Sequence, residues 1–320
     1  MHVLITGAHG FVGHALATRL AREGELAGRA LRRLSLVDLT FGGAPAQECV
    51  VHRLAGDLGD AAWLDHHLDG DPVDMVFHLA SIPGGTAEAN YALARRVNLD
   101  ATLSLLERGK AQVEAGAACP RFVFASSIAV FGTLPELVTE VAQPRPRMTY
   151  GAQKLIGEIL VDDFSRRAWV DGVSLRIPGV LARPPAQTGQ LSAFLSDIIR
   201  ELAAGRPFAC PMSASATTWA SSIGNVVDNL LHAAALPRHA LGATRTFTLP
   251  TTRFSMAELV DAIGALRGTD TRPLVRYHPD DRIETLFGRF PPLETPDAEH
   301  AGFHRDADLR ELVRRALDSL

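Results

Sequence analysis

The sequence predicts an α/β fold: a doubly wound parallel sheet followed by a smaller C-terminal lobe. Three observations carry that prediction. Short β-branched or apolar runs alternate with longer stretches of helical spacing through the first half of the chain, the pattern of parallel strands joined by crossover helices. A glycine-rich turn separates the first apolar run from the first helical stretch. After Ile177 the alternation weakens, and Pro178, Pro184, Pro185, Pro207 and Pro211 break the chain into shorter pieces.

Six strands are expected, over residues 2–6, 34–38, 50–54, 73–79, 121–126 and 173–177. Helices are expected over 11–23, 60–68, 86–115 and 150–168. Right-handed crossovers place such helices on both faces of one sheet. A returning amphipathic helix is expected over 222–236, and Ser255-Met-Ala-Glu258 fits the capping box that opens another. Residues 1–178 and 217–240 are therefore assigned to the sheet domain, and 179–216 and 241–320 to the lobe.

Composition excludes several classes. Hydrophobic residues make up 47% of the 320 and charged residues 21%, values of an ordinary globular chain and not of a disordered or collagen-like one. The net charge of −4 gives no reason to expect nucleic acid. Cys49, Cys119 and Cys210 show no C-x-x-C spacing, so they read as buried thiols in a reducing compartment. No apolar run approaches the roughly eighteen residues of a membrane span. Residues 1–7 carry neither the cationic nor the long apolar region of a signal peptide. A cytoplasmic protein with no membrane partner is expected.

The turn Gly7-Ala-His-Gly10-Phe11-Val12-Gly13 has the spacing G-x-x-G-x-x-G. Small residues there let backbone N–H groups approach a pyrophosphate, and the helix start adds partial positive charge. The third glycine lets helix and strand pack closely. Asp38 ends the second strand, 25 residues beyond Gly13, where a carboxylate accepts from the adenosine ribose hydroxyls and repels a 2′-phosphate. NAD is therefore expected over NADP. Asp57-Leu58 follows the third strand and suits the adenine amino group. His78-Leu79-Ala80-Ser81 ends the fourth strand at the carboxyl edge, where open sheets bind ligands. For His78 two readings stand open: a strand-end histidine satisfied by its surroundings, or a catalytic one.

The chain has 30 Arg but only two Lys, Lys110 and Lys154, and only three Tyr, Tyr91, Tyr150 and Tyr277. A Lys or Tyr in a motif thus carries more weight than an Arg. Tyr150 and Lys154 are spaced i, i+4 at the start of an expected helix and share a face. A phenol titrates near about 10, and an adjacent ammonium favours its ionised form, giving a base that works near neutral pH. The run from Phe122 to Ser127 reads as a buried strand ending in two hydroxyls. Ser127 is the candidate to hold a reacting oxygen, whereas Ser126 is equally well a turn or cap residue. The 12 His are scattered, and His66-His67 diverge on a helix, so no metal is expected.

Together, the glycine turn, Asp38, Asp57-Leu58, His78-Leu-Ala, Asn98, Ser126-Ser127-x-Ala-Val-x-Gly132 and Tyr150-Gly-Ala-Gln-Lys154 resemble the extended short-chain dehydrogenase/reductase family, or NAD-dependent epimerase/dehydratases. The resemblance covers nearly the whole chain. It implies a Rossmann domain with bound NAD, a substrate-binding lobe, and a homodimer packed through two helices of each subunit. It makes Ser127, Tyr150 and Lys154 catalytic, and it adds Asn98 and Ile177 to the cofactor side.

Two departures argue against a nucleotide-diphosphate sugar. Arg176-Ile-Pro178-Gly179 stands where such enzymes carry R-x-x-N, and Thr217-Thr-Trp-Ala-Ser-Ser222 stands where a basic residue pairs with the diphosphate. Three stretches, 78–88, 150–167 and 176–184, are most similar to the subgroup that oxidises four-carbon sugar acids such as D-erythronate. The expectation is NAD-dependent oxidation at C2. Arg183 is the candidate for the substrate carboxylate, with Arg145 and Arg147 as further candidates. The alternatives are an epimerase or dehydratase with transient hydride transfer, and a non-catalytic NAD-binding protein.

Overall fold

The computed structural model describes residues 1–41, 50–68, 70–183, 192–241 and 245–318, with every side chain among them except those of Ala61 and His239. Cys49, Pro184 and Pro185 lie outside the described residues. The chain forms two compact units. The first comprises Met1–Gly132, Pro144–Arg176 and Asn229–Phe247, and the second Thr133–Gln143, Ile177–Asp228 and Thr248–Leu320.

The first unit is built on a seven-stranded sheet. Its spatial order is Val51–Ala55, Arg33–Asp38, His2–Thr6, Met75–His78, Arg121–Ser127, Asp171–Ile177 and Thr246–Thr248. The pairings from Val51–Ala55 across to Arg121–Ser127 are parallel. Every residue of His2–Thr6 is buried, as a central strand covered on both faces requires. Leu4, Val76, Phe122 and Phe124 from the sheet pack with Leu105, Leu106, Val161 and Phe164 from the helices. This is the α/β Rossmann sheet expected from the sequence. Strand order reverses between His2–Thr6 and Met75–His78, which opens a crevice at their carboxyl ends.

Two elements differ from expectation. The seventh strand, Thr246–Thr248, was not foreseen, because three residues are too few to show a period. The single helix expected over 86–115 is instead Gly84–Ala89, Tyr91–Arg95, a π turn Arg96–Asp100, and Ala101–Glu114. Asn90 causes the break: its backbone leaves the helical region (φ −138°, ψ 79°) and its side chain accepts from the Leu93 N–H, capping a new helix.

In the second unit, Thr217–Ser222 pairs parallel with Gly179–Leu181 and antiparallel with Thr252–Ser255. Phe208–Cys210 pairs parallel with Val275–Tyr277. Ile198, Ile199, Leu202, Leu259, Ile263 and Leu312 share one core there. Helix Met256–Arg267 opens with the capping box of Ser255 and Glu258. Trp219 is buried, donates to the Pro291 carbonyl at 2.7 Å and packs edge-on to Phe290. No helix among the described residues is long and apolar enough to cross a membrane.

Candidate active site

The glycine turn closes onto the fourth strand. Gly7 has φ +69°, and a Cβ there would come within 2.7 Å of the Ala80 backbone. A Cβ on Gly13 would meet the Gly7 carbonyl oxygen at 2.0 Å. Both positions therefore admit only glycine. Helix Phe11–Glu23 starts at Gly10, which has no side chain to cap it, and no acidic residue stands in its first turn. The Phe11, Val12 and Gly13 backbone thus sits at a helix start suited to an anion.

Asp38 accepts from the His9 and Leu39 N–H groups, both at 2.8 Å, which ties the second strand to the glycine turn. Its backbone carbonyl accepts from Gly56 N–H, placing Asp57 and the buried Leu58 beside it. The Asp57 carboxylate accepts from Gly59 N–H and pairs with Arg96 at 3.0 Å. Leu79, Ala80 and Ser81 follow the fourth strand, with Leu79 N–H bonded to the Thr6 carbonyl. Asn98 is buried in the π turn. Its side chain accepts from Ile82 N–H at 2.7 Å and donates to the Ile82 carbonyl and to Gln153 Oε1. It therefore bolts the loop after Ser81 to the helix that carries Tyr150 and Lys154.

Ser127 ends its strand and caps a short 3₁₀ turn, its Oγ accepting from Ala129 N–H. That turn abuts helix Thr149–Arg166: a Cβ on Gly151 would lie 2.3 Å from the Ala129 carbonyl oxygen. Ser127 and Tyr150 are half-buried. Lys154 is only 2% exposed. Its Nζ lies 4.8 Å from the Phe124 ring centroid and 5.7 Å from that of Tyr150. Burial lowers the Lys154 pKa to about 7, against an opposing pull from Glu158.

A model of the NAD-dependent epimerase/dehydratase family matches residues 3–235. The chain belongs to that family. Two D-erythronate dehydrogenases are similar along their whole length. One, from Cupriavidus necator, is 36% identical over 99% of this chain and 98% of its own. The other, from Haemophilus influenzae, is 30% identical over 99% of both. A solved nucleoside-diphosphate-sugar epimerase from Agrobacterium tumefaciens superposes with TM-score 0.92 at 31% identity, covering 99% of this chain and 94% of that one. As a member of the NAD-dependent epimerase/dehydratase family, the chain is an NAD-dependent oxidoreductase. The glycine cradle and uncapped helix start fit a pyrophosphate, and Asp38 beside them fits a ribose.

Within this family member His78 resolves to the structural reading. Thr102 Oγ1 gives its proton to the Asn98 carbonyl, so it accepts from His78 Nε2, leaving Nδ1 to accept from Thr6 Oγ1. Burial and the charge of Lys154 lower the His78 pKa to about 3, so the ring stays neutral near pH 7 with both its nitrogens engaged. Ser126 is likewise occupied, donating to Glu158. Ile177 closes the sixth strand. Arg183 lies in the second unit, where its N–H donates to Ser196 Oγ and its carbonyl accepts from Arg200. The segment 217–222 is a mostly buried strand whose Thr217 and Trp219 donate to carbonyls of 290–291. Sequence reasoning passed over Glu158 and Gln153. Glu158 was legible as the next i+4 position after Lys154 on the same face.

Proposed function

We propose that this chain oxidises the C2 hydroxyl of a sugar acid such as D-erythronate to the 2-keto acid, with Tyr150 as the base. One observation carries the chemistry: a buried Lys154 lies against the Tyr150 ring, on a helix start abutting the Ser127 turn. Tyr150, as phenolate, accepts the C2 hydroxyl proton. The Lys154 charge favours that phenolate, and Ser127 donates to the substrate oxygen as it becomes a carbonyl. NAD, when bound, takes up the hydride that leaves C2. Gly7, Gly10, Phe11, Val12 and Gly13 hold its pyrophosphate, Asp38 its ribose, and Asp57 with Leu58 its adenine. Leu79, Ala80, Ser81, Asn98 and Ile177 line its remaining length, and Lys154 and Tyr150 meet its nicotinamide half. Arg183 is the proposed partner of the substrate carboxylate, and the working form is a homodimer.

The sugar-acid assignment is supported by the two full-length D-erythronate dehydrogenase relatives and by the missing Asn after Arg176. A second reading, epimerisation of a nucleotide sugar, is favoured by the Agrobacterium structure. The test is NADH absorbance with NAD and a panel of D-erythronate, L-threonate, other sugar acids and UDP-sugars. The expected result is NADH from a C4 acid, lost by at least about 10²-fold in Tyr150→Phe while NAD still binds. Arg183→Ala is expected to raise KM for the acid with kcat nearly kept. Silence with every acid, together with an epimerised UDP-sugar and no net NADH, would replace this reading with the second.

A further inference from the structure

Beneath the Lys154 ammonium lies a buried charged network that the mechanism above does not use. Glu158 follows Lys154 by one helical turn and is 4% exposed. Arg176, 8% exposed, grips it with two hydrogen bonds, Nε to Oε1 at 2.9 Å and Nη2 to Oε2 at 2.8 Å. Ser126 donates its hydroxyl to Oε1 as well. Arg176 in turn stacks over the Phe131 ring at 5.1 Å. The carboxylate thus joins three elements: the strand that ends in Ser127, the strand Asp171–Ile177, and the helix that carries Tyr150 and Lys154.

A bare ion pair is an expensive way to hold such elements together, because taking two charges out of water costs about as much as their attraction returns. An apolar pair of the same size would serve packing as well. What an apolar pair cannot supply is negative charge next to a buried ammonium. The ionisable groups facing Lys154 are few. Tyr150 and Glu158 share its helix, and neutral His78 comes from the fourth strand, while Arg176 from the sixth strand is engaged by Glu158. From the strand Arg121–Ser127, Phe124 lies under the ammonium and Ser126 bonds Glu158, and neither is ionisable. On the short helices packed against the catalytic one, Glu88 is spent on Thr149 N–H and Asp100 pairs with Arg95. Glu158 is therefore the counter-charge of Lys154.

We propose that Glu158, clamped by Arg176 and Ser126, is a positioning residue that keeps Lys154 charged in its apolar setting and so lets it act on Tyr150. This rests on the reading of Tyr150 as the base, but its first test does not. The two lysines make the titration of Lys154 directly readable by NMR on ¹³Cε-lysine-labelled protein, and Lys110→Arg leaves Lys154 as the only signal. Glu158→Gln is expected to move the Lys154 midpoint down by about one unit or more, the scale of a close opposite charge. In activity assays the acid limb of kcat/KM should then move to higher pH, since a neutral Lys154 no longer favours the Tyr150 phenolate. Glu158→Asp should restore much of both.

Should Glu158→Gln not fold, Arg176→Met becomes the reference background, and adding Glu158→Gln to it is expected to lower the Lys154 midpoint by the same loss of one negative charge. A Lys154 midpoint unchanged by Glu158→Gln in whichever background folds would overturn the proposal and leave the network as a clamp. A midpoint that falls while no sugar acid is turned over by the wild type would instead fault the proposed substrate.

Discussion

Lys154 shows how one side chain trades stability for chemistry. Its folded pKa of about 7 lies below the ordinary lysine value of 10.5. Between those values the unfolded chain holds a proton that the folded chain has shed, so this residue makes stability rise with pH across that window. Below about 7 the burial penalty is present in full. Lys154→Met is therefore expected to raise the unfolding free energy at pH 7, on the order of a few kcal/mol, with the gain shrinking toward pH 10. Denaturant titrations at the two pH values check this, and the same variant should lose turnover. The sequence singled out Tyr150, Lys154 and Ser127 as candidates because rarity, spacing and a strand end are local properties. It left His78 and Ser126 undecided, since their occupancy depends on Thr102 and Glu158, 24 and 32 residues away.

At the level of elements, the glycine turn and the helix after it were legible to the residue: the first strand is His2–Thr6 and the helix Phe11–Glu23, as the pattern required. The signal is strong because sterics leave the turn no alternative. Gly13→Val is expected to abolish NAD binding, measurable by calorimetry, and to destabilise by about 1–3 kcal/mol through backbone overlap. The stretch 86–115 was not legible in this way. Its composition is helical throughout, and only the Asn90 side chain, competing for backbone, decides where it breaks.

For the molecule as a whole, the parallel sheet was readable from the alternation of runs, whereas the partition of the later chain was not. The two compact units exchange the chain several times, and such crossings leave little trace in composition. The proposed homodimer belongs to this scale. Ile156 and Ile159 on helix Thr149–Arg166 are 43% and 62% exposed, and Leu103 on Ala101–Glu114 is 41% exposed. Sedimentation velocity is expected to show a dimer for the wild type and a monomer for Ile159→Glu. A wild-type monomer at micromolar concentration would rule the dimer out.

The π turn at Arg96–Asp100 has a bearing on how this chain tolerates insertion and deletion. A turn closed by an i to i+5 bond, Ala101 N–H to the Arg96 carbonyl, carries one residue more than an α-helical turn. Removing one residue would restore regular phase but rotate everything on one side of it by about 100° relative to the other. Asn98 would then swing off Ile82 and Gln153, and Arg96 off Asp57. The segment between the fourth and fifth strands is thus fixed in length by a reading frame of side chains, and natural or engineered length variation should fall outside it.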